Sequence, residues 1–278
     1  MHKHLSYRNY SKYTVRNYVK EMNHLCSYYQ CSPKDISEQQ IQNYLYHLVT
    51  IKEFGPNKIT LAIASFTYFY HNIIGTPEKV KQLRSPRIPS RVPFVLAPIQ
   101  VFQFIESLQK FRDKVIIQLL YSTGIRVGEC VALKRQDLNL ERMVIRIVKG
   151  KGQKDRYVPL SPMMLNQLEL YYKEYNPEDY IFQGRKKGGP ICRATVNRII
   201  RNANYVLDTK ETITPHTFRH SFATMLTEEG ESLYKIQQIL GHKSILSTTR
   251  YIKAAKTELK SCVNPLDKVY EDNCLDLK

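Results

Sequence analysis

The chain has 278 residues, room for one large or two modest domains, and its 42 Lys and Arg against 25 Asp and Glu give a formal charge of +17 and a pI near 9.5. That excess points to a polyanionic partner. No apolar run reaches the length of a membrane span and the polar, tyrosine-rich N-terminus lacks the form of a signal peptide, so no membrane partner and a cytoplasmic location are expected.

Residues 1–80 hold nine Lys and Arg against five Asp and Glu and read as a small helical bundle. From Thr14 to Tyr29, the residues Val15, Tyr18, Val19, Met22, Leu25, Cys26 and Tyr29 follow helical spacing. Ser37-Glu-Gln-Gln40 has the capping-box pattern and opens a second helix with Ile41, Tyr44, Leu45 and Leu48 inward. Gly55-Pro56 breaks the chain, Asn57 to Tyr70 forms a third helix, and a short fourth follows Thr76-Pro77. Residues 81–95 read as a linker: Lys81, Arg84, Arg87 and Arg91 stand among three prolines with no acid, a pattern that denies a helix and favours an extended strap. Either this strap touches the polyanion or its charge is incidental to a solvated connection.

Residues 96–278 read as a mainly helical domain with a small antiparallel sheet. Phe102, Ile105 and Leu108 lie on one helix; Val115, Ile116, Leu119 and Leu120 lie on the next. Alternation from Arg142 to Val148 and from Arg156 to Leu160 predicts two strands around the turn Gly150-Lys151-Gly152, with a third either before Arg142 or around Tyr180 to Phe182. A second basic block contains Arg185, Lys186, Lys187, Arg193, Arg198 and Arg201. On a helix from about Thr195, Arg198 and Arg201 share an outer face suited to phosphate contact, while Val196, Ile199 and Ile200 face the core. Thr214 and Pro215 suit a helix start, which sets His216 and Arg219 on one face. Leu233, Ile236, Ile239 and Leu240 form a helix that Gly241 ends, and a short helix from Ser244 or Ser247 carries Tyr251. Residues 254–278 form a tail that either docks on a neighbouring subunit or frays. The cysteines at 26, 31, 130, 192, 262 and 274 include no Cys-x-x-Cys pair, so reduced thiols are expected rather than disulfides or a structural metal.

Four ordered segments of this second domain resemble the boxes of the tyrosine recombinases, the phage-integrase and Xer family. Leu120-Tyr-Ser-Thr-Gly-Ile-Arg126-Val-Gly-Glu129 resembles the first arginine box, and Gly150-Lys151-Gly-Gln-Lys-Asp-Arg-Tyr-Val-Pro159 the hairpin that carries the catalytic lysine. Thr214-Pro-His216-Thr-Phe-Arg219-His220 and Leu240-Gly-His242, with Tyr251 nine residues on, complete the set. A lone His-x-x-Arg is weak evidence; four boxes in order are specific. The resemblance implies a mainly α fold: an N-terminal four-helix-type, SAM-like core-binding domain and a mostly helical catalytic domain with a small antiparallel sheet. One departure is that Leu61 to Tyr70 contains no basic residue, which leaves open which face of the first domain meets DNA.

The residue types fit the chemistry. A phosphodiester attacked by a side-chain oxygen becomes pentacoordinate and doubly charged, and calls for fixed positive donors. Arg126 and Arg219 offer charged planar forks, His242 a further donor, and Tyr251 the oxygen. The Tyr251 phenol is protonated at neutral pH, and His216 is the nearest candidate to accept or orient its proton; His220 reads as structural. Glu129 has the wrong sign for a phosphate ligand and suits holding a helix end or orienting a basic side chain. Tyr234 is a weak rival nucleophile. By resemblance, Lys151 protonates the leaving 5′-oxygen, with Lys149 and Lys154 as alternatives for that acid and as candidate DNA contacts.

The resemblance further implies a site-specific DNA recombinase or integrase, Xer-like or from a simple mobile element, working through a 3′-phosphotyrosine without metal, ATP or other cofactor. Double-stranded DNA carrying core sites is the expected partner, bound by a homotetramer with room for accessory directionality proteins, in a prokaryotic nucleoid. The chain contains no P-loop and no carboxylate cluster suited to two-metal nuclease work. Two other readings are a type IB topoisomerase with the same chemistry and a DNA-binding regulator with a dead site. The Leu-Gly-His box and two-domain layout disfavour the first, and the filled catalytic positions disfavour the second.

Overall fold

The computed structural model describes residues 1–87, 92–148, 155–185, 188–207 and 210–255. The chain divides into two compact units, Met1–Ser90 and Arg91–Lys278. None of the described helices is long and apolar enough to cross a membrane, and Cys26, Cys31, Cys130 and Cys192 are free thiols.

The first unit contains α1 (His2–Tyr7), α2 (Lys12–Tyr29), α3 (Glu38–Thr50) and α4 (Pro56–Phe69). Local chemistry sets their starts. The Ser11 hydroxyl accepts from the Thr14 amide at 3.1 Å, and at α3 the capping box closes both ways, with Gln40 N donating to Ser37 Oγ at 3.2 Å and Ser37 N to Gln40 Oε1 at 2.8 Å. Met22, Leu25, Ile41, Tyr44, Leu48, Phe66 and Tyr70 form the core, where Tyr70 satisfies its hydroxyl on Pro33 O at 2.7 Å. Three features differ from the pattern-based reading. The helix α1 is too short to carry a periodic signal; it buries only Leu5. The segment after Thr76 is a 3₁₀ turn, Pro77–Val80, too short for an α-helix. The basic strap also begins inside this unit, because Leu83 packs on its core while Arg84 and Arg87 stay exposed. Arg91 lies outside the described residues.

In the second unit, α5 (Pro98–Glu106), α6 (Phe111–Thr123) and the single-turn α7 (Val127–Cys130) precede the sheet. Strands β1 (Leu138–Asn139), β2 (Val144–Ile147) and β3 (Arg156–Pro159) are antiparallel in that order, with Ile145 opposite Val158 and Ile147 opposite Arg156. The third strand is therefore the one before Arg142, and Tyr180 makes only an isolated bridge with Lys134. The central strand starts at Val144 because Met143 holds φ at 50°, outside the extended region. Then come α8 (Pro162–Tyr175), α9 (Arg193–Ala203), α10 (Pro215–Glu228), α11 (Leu233–Leu240) and α12 (Arg250–Ala254). The turn Gly150-Lys151-Gly152, together with Lys149, Lys154, Lys186, Lys187 and residues 256–278 of the tail, lies outside the described residues.

Helix α6 is the axis of this unit. Val115, Ile116, Ile117, Leu119 and Leu120 are all fully buried, so it is covered on every side, with α8 and α10 among the helices packed on it. Gly124 ends it at φ 61°, and a Cβ there would collide with the Phe222 ring and come within 3.0 Å of Leu240 Cδ2. Gly124→Ala should therefore lose about 2–4 kcal/mol of stability by urea unfolding, adding left-handed strain to overpacking. Gly230→Ala, at φ 78° with nothing within 4 Å, should lose only about 1 kcal/mol.

Candidate active site

The end of α11 organises the charged residues. A helix C-terminus leaves carbonyls without amide partners and carries partial negative charge. Here three arginines from three other elements take successive carbonyls. Arg156 Nε donates to Ile239 O at 2.8 Å, Arg219 Nη2 to Leu240 O at 2.7 Å, and Arg126 Nη2 to Gly241 O at 3.5 Å. Gly241 makes this possible, since it closes α11 at φ 64° and keeps the space beside Arg156, whose Cδ lies 2.9 Å from where a Cβ would stand. Arg219 is 3% exposed and spends its other Nη on Gly124 O, at the end of α6, at 2.6 Å. Burial, then the neighbouring Arg126 charge, lowers its pKa to about 10, so it remains a cation at neutral pH.

Glu129 ties two of these arginines together. It accepts from the Arg126 backbone amide at 2.8 Å and from Arg126 Nη1 at 3.0 Å, so it closes the first turn of α7 and orients the guanidinium at once. Arg156 meets the same carboxylate in bidentate fashion, at 2.9 and 2.7 Å. Burial alone would raise the Glu129 pKa, but the hydrogen bonds and charge of Arg156, helped by Arg126, hold it down at about 2. Arg156 was not singled out in the sequence, although a signal existed. It alternates in phase with Val158 and Leu160, the buried side of its strand, and a charge there needs a partner.

The aromatic residues form a row. The ring centroids step from His216 to His220 at 6.2 Å, from His220 to Tyr251 at 5.7 Å, and from Tyr251 to His242 at 6.2 Å, the last pair nearly parallel at 16°. Tyr251, on α12, is 1% exposed, and its hydroxyl lies 3.2 Å from His220 Nδ1. The two histidines of α10 are placed differently. His216 sits exposed in the first turn, whereas His220, one turn further into the fold, faces Tyr251. Burial, and then Arg219, Arg126 and Arg250, lower the His242 pKa to about 3, and its Nδ1 pairs with the buried Thr248 hydroxyl at 2.9 Å. Burial, and then the charges of His216, Arg250 and Arg219, lower that of His220 to about 4. What burial His216 has, followed by Arg219 and Arg126, also lowers its pKa. Burial raises the Tyr251 pKa, against the pull of Arg219, Arg250 and Arg126.

The remaining expected residues fall elsewhere. Tyr234 is 66% exposed on α11, outside this row. Arg193 lays its guanidinium over Gly128, where any Cβ would collide with it, next to Glu129. Arg198 and Arg201 line a cavity of about 780 Å³ with Lys110, Arg112 and Arg185, while Val196, Ile199 and Ile200 bury the opposite face of α9. Lys149, Lys151 and Lys154 lie outside the described residues. Thr248 and Arg250 were missed: they follow His242 by six and eight residues, and the irregular turn between α11 and α12, which no periodicity marks, brings them beside it.

A model of the phage integrase family matches residues 95–258, and one of the phage integrase N-terminal SAM-like domain matches residues 1–79. The chain belongs to the phage integrase family. It is 33% identical over 270 residues to a tyrosine recombinase of Pseudothermotoga lettingae, covering 93% of each chain, and 35% identical over 217 residues to tyrosine recombinase XerA of Pyrococcus furiosus, covering 76% of this chain and 75% of that one. Of solved structures, a XerA recombinase is similar at TM-score 0.53 and 27% identity, covering 98% and 96% of the two chains. A lambda integrase dimer bound to a COC′ core site shares the fold at TM-score 0.75 and 19% identity, covering 95% and 96%. The mainly helical, SAM-like plus catalytic architecture is thus that of the tyrosine recombinases, enzymes that cleave and rejoin DNA.

For this recombinase, the Glu129 geometry has a consequence in pH. Its folded pKa, about 2, lies below the usual 4.5, so its contribution is complete above pH 4.5 and disappears as pH falls through 2. Glu129→Gln should cost about 3 kcal/mol at pH 7 and make unfolding less pH-dependent between those values, checked by urea titrations from pH 2 to 7.

Proposed function

We propose that this recombinase acts at specific DNA sites by using Tyr251 as a nucleophile, cutting one strand and holding it as a 3′-phosphotyrosine. The observation that carries this reading is the enclosed Tyr251 hydroxyl, set beside Arg219 and His220 and under the His242 ring. Arg126 and Arg219 bind the non-bridging oxygens, whose growing charge in the pentacoordinate state they oppose. His242 Nδ1 pairs with the Thr248 hydroxyl; in the tautomer in which Thr248 donates, the Nε2 proton is left to donate to a phosphate oxygen. Glu129 and Arg156 hold the guanidinium of Arg126 to the end of α11. Lys151 protonates the 5′-oxygen as it leaves. Because the phosphotyrosine keeps the energy of the broken bond, a 5′-hydroxyl reseals the strand with no ATP and no metal.

Exchange between two duplexes breaks four strands, which calls for four copies of this site and hence a tetramer on DNA. The exposed Arg84 and Arg87 with Arg91, the α9 residues Arg193, Arg198 and Arg201, and Lys149 and Lys154 supply phosphate contacts that set affinity without reading sequence.

On nicked suicide substrates, Tyr251→Phe should form no covalent protein–DNA adduct under denaturing conditions while binding its DNA nearly normally. Arg219→Ala should form the adduct roughly a hundredfold more slowly or worse, as expected for the loss of one preorganised donor. Survival of the adduct in Tyr251→Phe would assign the nucleophile to another residue. A 5′-bridging phosphorothiolate, whose leaving group needs no proton, should restore cleavage to Lys151→Ala; rescue of Lys154→Ala or Lys149→Ala instead would move the acid to that lysine.

A further inference from the structure

The nucleophile's hydroxyl is held by a histidine that the box pattern leaves without a task. His220 Nδ1 stands 3.2 Å from Tyr251 Oη, within hydrogen-bond reach. The contact spans 31 residues of sequence, so it is made by the packing of α10 against α12 and not by local geometry. His216, by contrast, is exposed, and its ring meets that of His220. We propose that His220 is a catalytic residue that takes the Tyr251 hydroxyl proton as the strand is cut and returns it as the strand is rejoined. This rests on the assignment of Tyr251 as the nucleophile.

The step balances without a further reagent. The Oη–H bond breaks and its proton passes to Nδ1; the Oη–phosphorus bond forms; the phosphorus–O5′ bond breaks and its electron pair leaves on the 5′-oxygen, which the general acid of the reaction protonates. His220 ends as an imidazolium, and rejoining runs each transfer backwards. Burial, and then the charges of His216, Arg250 and Arg219, lower the pKa of His220 to about 4, so the ring is uncharged at neutral pH with a lone pair free to accept. Those same charges oppose an imidazolium, and the growing negative charge of the pentacoordinate phosphate offsets them as the proton moves. Tyr251 needs such an acceptor, since burial raises the pKa of its own phenol.

The test separates a proton acceptor from a mere support. His220→Asn keeps a hydrogen-bonding atom near the place of Nδ1 but cannot take a proton near neutrality. It should slow adduct formation on suicide substrates on the order of a hundredfold, with DNA binding unchanged. Placing a fluorinated, more acidic tyrosine at position 251 of His220→Asn should recover much of that loss, because a phenol that ionises readily depends less on a base. Cleavage by His220→Asn at the rate of the unaltered protein would overturn the proposal. So would a slow His220→Asn that the fluorinated tyrosine fails to help, since that result belongs to a residue which only supports the fold. Tyr251→Phe, run in parallel, distinguishes the two levels. If it still forms the adduct, the nucleophile assignment fails and His220 with it; if it forms none, a negative result at His220 counts against His220 alone.

Discussion

Three guanidiniums on three consecutive carbonyls, Ile239, Leu240 and Gly241, are the constraint on which the catalytic unit depends. A buried cation must have its donors satisfied, and the usual partner is a carboxylate. Carboxylates everywhere would cancel the positive charge of the cluster. Carbonyls at a helix end satisfy the N–H groups and offer a favourable dipole, yet leave each guanidinium its full unit of charge. Arg219 follows this principle most completely, bridging the ends of two helices with a carbonyl from each. Glu129 is shared by Arg126 and Arg156, one negative charge for two positive ones, so this pair also keeps a net positive balance.

Glycines give the arginines their room. Gly124 and Gly241 both adopt the left-handed conformation that ends a helix, and the carbonyls at those two ends are the ones Arg219 takes. Gly128 has no such backbone demand; the Arg193 guanidinium lies where its Cβ would stand. In the Thr-Gly-Ile-Arg-Val-Gly-Glu and Leu-Gly-His segments, the glycines and the charged residues are therefore parts of one device.

The same concentration of positive charge governs the imidazoles. Arg219 and Arg250 act on His220 and His242 alike, Arg126 adds to the effect on His242, and burial works in the same direction. Both rings are left uncharged at neutral pH, as hydrogen-bonding groups and not as cations. Around Tyr251 the two influences oppose each other: burial favours the neutral phenol while the arginines favour the phenolate. A hydroxyl held in that balance is protected at rest and close to the charge that would stabilise its ionised form.

Much of this was legible in the chain. The capping box at Ser37, the break at Gly55-Pro56, the core phase of Val115 to Leu120 and the glycine end at Gly241 are local signals, decided within one or two turns, and each formed as the pattern required. Sequence alone also determined that arginines, histidines and a tyrosine of the right kinds were present, in an order that named their family. What it could not decide was which of them meet. That His220 and not His216 faces Tyr251 is a fact of packing between α10 and α12, and that Arg156 shares Glu129 with Arg126 is a fact of how β3 meets the start of α7. Such contacts join residues by the angle at which whole elements cross, and no spacing along one element encodes that angle.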